Sequence, residues 1–144
     1  LGLPRIVTNE EDIDWLLNAV DNPHNGLTFC AGSLSANLQN DVPVLAQKFA
    51  KRTKFVHLRS TEVSENGDFI EAHHLGGRGQ LIEVIRVFEK ENPALPMRID
   101  HGRLLTDDID KGYNPGYSFL GRMLALGQIE GVMAAVQNEM SKKN

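Results

Sequence analysis

The chain has 144 residues, 41% of them hydrophobic and 24% charged, with a formal net charge of −4 and one cysteine. That length suffices for one domain with a sizeable core. The acidic balance argues against a nucleic-acid surface, which needs a basic stripe, and no apolar run approaches membrane-spanning length. A lone thiol forms no internal disulfide and points to a reducing, cytoplasmic setting. No basic-then-apolar signal segment opens the chain. It begins with Leu1 rather than methionine, which implies a processed chain or part of a longer one.

Residues 3–7 read as a short edge piece leading into a helix. Thr8 followed by Glu11 is a capping-box pattern, and Ile13, Leu16, Leu17 and Val20 repeat at helical spacing. Asp21, Asn22 and Pro23 stop that helix, and Asn25-Gly26 turns the chain. Residues 27–30 form a buried strand, with a loop at Ala31, Gly32 and Ser33. A second helix begins near Asp41, with Val42, Leu45 and Phe49 on one face and Lys51-Arg52 at its negative end. Residues 54–58 are the next strand, which Arg59, Ser60 and Thr61 leave. Residues 68–71 are a short strand or a turn, and His73-His74 follow. A glycine-rich lead-in at 76–79 opens a third helix bearing Leu81, Ile85 and Phe88. Pro93 and Pro96 end it before a strand that reaches Asp100. A loop runs through Asp107, Asp108 and Asp110 to Asn114-Pro115-Gly116-Tyr117. The rest is helical, with Gly127 as a possible break, and Lys142-Lys143 form a solvated tail.

Strands therefore alternate with helices in units of roughly 30 residues, the signature of βα connections. This predicts an α/β fold, with a parallel sheet and helices outside it. No repeat, low-complexity tract or linker divides the chain, so residues 1–144 read as a single piece of domain.

The stretch Arg98-Ile99-Asp100-His101-Gly102-Arg103 presents a carboxylate, an imidazole and a guanidinium where a short strand runs into a loop. Successive residues on an extended chain face opposite ways. One of Asp100 and His101 can then hold a metal while the other faces a substrate; alternatively, Asp100 only caps backbone amides. Cys30, His57 and Asp100 each stand at a predicted strand end, where sites form in parallel α/β folds. Converging on one rim, they would make a divalent metal site whose mixed ligands suit manganese, iron, cobalt or zinc better than magnesium or calcium. Singly, each has a plainer role: a small buried thiol, a core histidine, a cap. His73-His74 are substrate contacts or an exposed polar pair, the latter being the default. The glycines at 76–79 lack P-loop and dinucleotide spacing. Tyr117 either packs its ring or moves protons.

Five stretches carry a resemblance: Thr28-Phe29-Cys30-Ala31-Gly32-Ser33-Leu34, Phe55-Val56-His57-Leu58-Arg59-Ser60, Glu71-Ala72-His73-His74-Leu75, Arg98-Ile99-Asp100-His101-Gly102 and Asn114-Pro115-Gly116-Tyr117-Ser118. In this order, and over essentially the whole chain, they resemble the mannonate dehydratase family. The resemblance implies the C-terminal part of a (β/α)8 barrel related to xylose-isomerase-like sugar enzymes. It implies a hydro-lyase that converts D-mannonate to 2-keto-3-deoxy-D-gluconate in hexuronate catabolism. It also implies Mn2+ or Fe2+, a small sugar-acid substrate, no nucleic-acid or membrane partner, and a homodimer.

By position in those motifs, Cys30, His57 and Asp100 match metal ligands, and His101 and Tyr117 match the catalytic pair. Arg59 and His74 lie in motifs near the substrate. Ile99 stands where the family pattern has proline, and Ala31 where threonine is common. A full barrel needs about 250 residues. The family's N-terminal half, and a His-Pro-Asp-Asp-Pro-Pro motif with a further ligand histidine, are expected before Leu1. Without them the resemblance implies an open half-barrel with an exposed sheet edge, an incomplete metal shell and poor activity. The alternatives are a metal-dependent isomerase or epimerase on the same barrel, or a non-catalytic barrel fragment.

Overall fold

A computed structural model describes residues 5–114 and 116–142. Leu3, Pro4, Pro115 and Lys143, which figure in the expectations above, lie outside the described residues, and residues 5–7 form no strand.

Asn9 opens α1 (Glu10–Ala19) by accepting the Asp12 amide on its side-chain oxygen. The Asp12 carboxylate reaches back to the Thr8 amide and hydroxyl. The cap thus sits one residue beyond the expected Thr8–Glu11 box, because Asn is at least as good a cap as Thr and Asp12 ties down the residue before it. Ile13 and Leu17 are buried, whereas Leu16 and Val20 face outward.

β1 (Leu27–Cys30) leads into α2 (Ala31–Ser35), one helical turn where a loop was expected. Cys30 is its N-cap, the sulfur accepting the Ser33 amide at 3.4 Å. Asp41 caps α3 (Val42–Phe49) through the Val44 amide, and Pro43 sits in the first turn, where no amide is needed. β2 (Thr53–Leu58) follows a short 3-10 turn at Ala50–Arg52. β3 (Thr61–Val63) and β4 (Phe69–Glu71) form a separate antiparallel hairpin with Thr61 opposite Glu71. Then come α4 (Leu81–Glu91), β5 (Met97–Ile99) and α5 (Phe119–Ser141).

Gly127 does not divide α5. A helical glycine costs only about 1 kcal/mol relative to alanine. Ile129 and Val136 are buried against the core, and Val132, Met133 and Met140 pack beside them. By length and composition alone α5 could cross a membrane, contrary to the expectation from the sequence. Its run of Ala, Gly, Leu and Met is apolar, and the face carrying Ile129 and Val136 is used as a core helix is used.

β1, β2 and β5 make a parallel sheet in the order β1-β2-β5. α3 and α4 lie in the two crossovers. The strand pleat sorts side chains by parity. Phe29, Val56 and Leu58 point to one face and are at most 1% exposed. That face meets the helices, and the Phe29 ring lies edge-on to Phe88 with centroids 5.3 Å apart. Burying such a ring contributes about 1.5–3 kcal/mol. The opposite face carries Cys30, His57 and Arg98, so the apolar core lies on one side of the sheet and the chemistry on the other.

Candidate metal centre

Cys30 and His57 are register partners on β1 and β2. His57 in turn pairs with Arg98 on β5, and Asp100 comes two residues later on the same parity. The Asp100 amide still reaches the Leu58 carbonyl, at 3.4 Å, which extends the pairing past the end of β5. One ligand atom from each of Cys30, His57 and Asp100 lies within 4.8 Å of the others. First-row metal bonds run about 2.0–2.3 Å, so one ion reaches all three with small side-chain adjustment. Sulfur, nitrogen and oxygen donors suit a borderline divalent ion.

The neighbours prepare these donors. The Ser33 amide and hydroxyl both donate to Cys30 Sγ, the hydroxyl at 3.2 Å, and fix where the sulfur sits. Arg98 donates to Asp100 Oδ1 at 3.2 Å, and His57 Nδ1 lies 3.8 Å from that oxygen. Asp100 is only 8% exposed, so its carboxylate meets these partners rather than bulk water.

His101 follows Asp100 beyond the end of β5 and forms a second group. Its Nε2 lies 3.1 Å from the Tyr117 hydroxyl, with ring centroids 4.7 Å apart. The same nitrogen is 3.5 Å from Asp100 Oδ2, which joins the pair to the candidate ligand set. Tyr117 is 45% exposed, so its phenol opens outward. The Gly102 amide donates to the Gly116 carbonyl at 2.9 Å and ties the two loops together. Gly116 has φ +82°, and a Cβ there would come 2.6 Å from His101 Nδ1.

Arg59 and His74, expected near the substrate, are beside the site but turned into the protein. Arg59 is 8% exposed and grips Glu71: Nε is 2.9 Å from each carboxylate oxygen, and Nη2 is 2.6 Å from Oε1. Burial alone would lower the guanidinium pKa; the Glu71 hydrogen bonds and charge outweigh it and raise it. Gly32 makes room for the Arg59 stem, which a Cβ would meet at 2.4 Å.

His74 corrects the default of an exposed pair. It is 4% exposed, with Nε2 3.0 Å from the Leu58 carbonyl. Burial holds its pKa below the usual imidazole value, against the opposing pull of that carbonyl. Polar character hid this, because a histidine that satisfies a buried carbonyl reads the same in sequence as a solvated one. His73 is half-buried beside Gln128.

Glu71 is the site residue that the residue patterns missed. Its Oε1 is 2.7 Å from His101 Nδ1, so it stands behind the His101–Tyr117 pair. Its one signal was that it opens the third of the five motif stretches. Local pattern does not separate such an acceptor from a solvated carboxylate at a strand end.

A parallel β/α sheet that brings sulfur, nitrogen and oxygen donors together at its strand ends, beside a His–Tyr pair, defines an α/β protein with a candidate metal site. The chain belongs to the mannonate dehydratase family: the family model for D-mannonate dehydratase (UxuA) matches residues 1–143. It is 42% identical over 151 residues to mannonate dehydratase 2 of Agrobacterium fabrum, a match covering 99% of this chain and 38% of that protein. It is 42% identical over 150 residues to a mannonate dehydratase of a Marinomonas species, covering 97% of this chain and 38% of that one. The crystal structure of mannonate dehydratase from Streptococcus suis serotype 2 superposes with a TM-score of 0.84 at 30% identity, covering 97% of this chain and 40% of that chain. The chain thus spans about two fifths of the length of these relatives. Its parallel strands and outer helices are those of part of a (β/α)8 barrel.

Proposed function

We propose that this chain carries the metal-binding and proton-transfer side of a mannonate dehydratase, contributing the C-terminal part of its barrel. The reaction is the loss of water from D-mannonate to give 2-keto-3-deoxy-D-gluconate, a step of hexuronate catabolism in the cytoplasm, in a homodimeric enzyme. The relatives supply the substrate class through their names. The observation that carries the reading is the approach of the Cys30, His57 and Asp100 ligand atoms to within 4.8 Å, with His101 Nε2 only 3.5 Å from Asp100 Oδ2.

Cys30, His57 and Asp100 would hold Mn2+ or Fe2+, and the donor chemistry fits either. The bound ion supplies positive charge for the carboxylate end of the sugar acid. Dehydration then needs two proton movements. A weakly acidic proton beside the carboxylate is removed, and the hydroxyl on the next carbon is protonated as it leaves. The assignment of those roles to His101 and Tyr117 is supported by their contact with each other, by the 3.5 Å approach of His101 to Asp100 and by the exposure of Tyr117. Arg59 and His74 serve from behind, Arg59 by holding Glu71 and His74 by bonding the backbone next to His57.

The intact protein carrying this chain, loaded with Mn2+ or Fe2+, is the material for the test. Incubation with D-mannonate, followed by chromatography, is expected to yield the keto-deoxy acid. Interconversion of sugars without loss of water would replace the reading with an isomerase or epimerase. Tight metal binding without turnover of either kind would remove the enzymatic reading.

A further inference from the structure

We infer that Glu71, itself clamped by Arg59, is a positioning residue that fixes His101 with its proton on Nδ1 and the Nε2 lone pair toward Tyr117. The catalytic meaning of this inference rests on the dehydratase reading; the geometry does not.

An arginine side chain only donates, and an ionised carboxylate only accepts. Arg59 donates from Nε to both Glu71 oxygens and from Nη2 to Oε1, so the carboxylate is held as an acceptor in a fixed orientation. Oε1 then faces His101 Nδ1 at 2.7 Å. Two acceptors do not bond each other, so Nδ1 must carry a proton. In a neutral ring that leaves Nε2 as the bare nitrogen. Nε2 has two neighbours: the Tyr117 hydroxyl at 3.1 Å and Asp100 Oδ2 at 3.5 Å. The nearer one can donate, whereas the Asp100 carboxylate, which accepts from Arg98 on its other oxygen, Oδ1, is an acceptor. The hydrogen bond therefore runs from the Tyr117 hydroxyl to His101 Nε2.

Three further contacts hold the arrangement in place. Gly116 packs against the imidazole where a Cβ would intrude, and Gly32 does the same for the Arg59 stem. Thr61 opposite Glu71 in the β3–β4 hairpin sets the carboxylate's position along the sheet. The hairpin thus has a use that its length does not suggest: it delivers an acceptor to the back of His101.

The test is the tautomer itself. The intact protein is labelled with 15N-histidine, and long-range proton–nitrogen spectra are recorded at a pH where the ring is neutral. The His101 signals are identified by their loss in His101→Asn. The expected wild-type pattern is a protonated Nδ1 and a bare Nε2. In Glu71→Gln, Arg59 takes the amide oxygen, the amide NH2 turns to Nδ1, and the tautomer reverses to Nε2–H. Outer partners of this kind are worth about 10–100-fold in activity, so kcat falls by that amount with metal content unchanged.

A wild-type Nε2–H tautomer overturns the proposal, and so does a Glu71→Gln spectrum that keeps Nδ1–H. If Glu71→Gln fails to fold, the wild-type spectrum alone decides. A wild-type protein that shows Nδ1–H but does not dehydrate D-mannonate upholds the positioning role and removes the dehydratase reading.

Discussion

Cys30 and His57 stand opposite one another in the register of two parallel strands, so the pleat sends both side chains to the same face of the sheet. Their neighbours Phe29 and Val56 point the other way, into the apolar core. One backbone feature thus serves both ends. The residues that seat the helices and the residues proposed to meet a metal alternate along the same strands, and displacing one set displaces the other.

Removing a ligand should therefore cost metal before it costs fold. Cys30→Ala and His57→Ala in the intact protein are expected to lower Mn2+ affinity by more than about 100-fold, since even outer-sphere partners are worth about 10–100-fold. Titration calorimetry and metal analysis check this. Unchanged affinity in either variant would remove that residue from the ligand set.

His101→Asn and Tyr117→Phe should behave differently. Each removes a proton-moving group while leaving Cys30, His57 and Asp100 in place. Turnover of D-mannonate is expected to fall by about 10²–10⁴-fold, the usual worth of a positioned acid or base. Metal content should stay at the wild-type level. Wild-type turnover in either variant would exclude that side chain from the mechanism.

Gly116 is constrained twice. Its φ of +82° disfavours any residue with a Cβ, and that Cβ would lie 2.6 Å from His101 Nδ1. Gly116→Ala should cost about 1–2 kcal/mol of stability from the backbone alone. It should also lower kcat more than the stability loss explains, because His101 must move aside. Denaturant unfolding and steady-state kinetics on the same preparation separate the two effects.

Asp108 supplies a pH dependence whose sign is fixed. The side chain is buried, which by itself would raise its pKa. The Leu120 and Gly121 amides donate to its two oxygens at 3.1 and 3.0 Å, outweigh burial and hold the pKa below the usual value. A depressed folded-state pKa stabilises the protein above the unfolded value of about 3.9, and that contribution is lost as the pH falls through the folded-state pKa. Asp108→Asn should therefore be less stable than wild type at neutral pH, with the difference narrowing below about pH 4. Unfolding curves recorded from pH 7 to pH 3 check this; a constant difference would contradict it.

The sequence by itself determined most of the framework. The apolar run of residues 27–30 is β1, Asp41 caps α3 as its side-chain chemistry requires, and Leu81, Ile85 and Phe88 line the buried face of α4. These features are local, carried by period and capping over a few residues. The strand-end positions of Cys30, His57 and Asp100 were legible for the same reason, and the five motifs placed the chain in its family.

Only the tertiary structure decided what those residues face. That His74 is buried on the Leu58 carbonyl, that Arg59 is spent on Glu71, and that α5 runs unbroken through Gly127 depend on partners 12 or more residues away or on burial. A polar side chain carries no mark of whether water or a buried carbonyl satisfies it. Glu71 shows this most plainly. Thirty residues separate it from His101, and only the β3–β4 hairpin and the end of β5 bring carboxylate and imidazole to 2.7 Å.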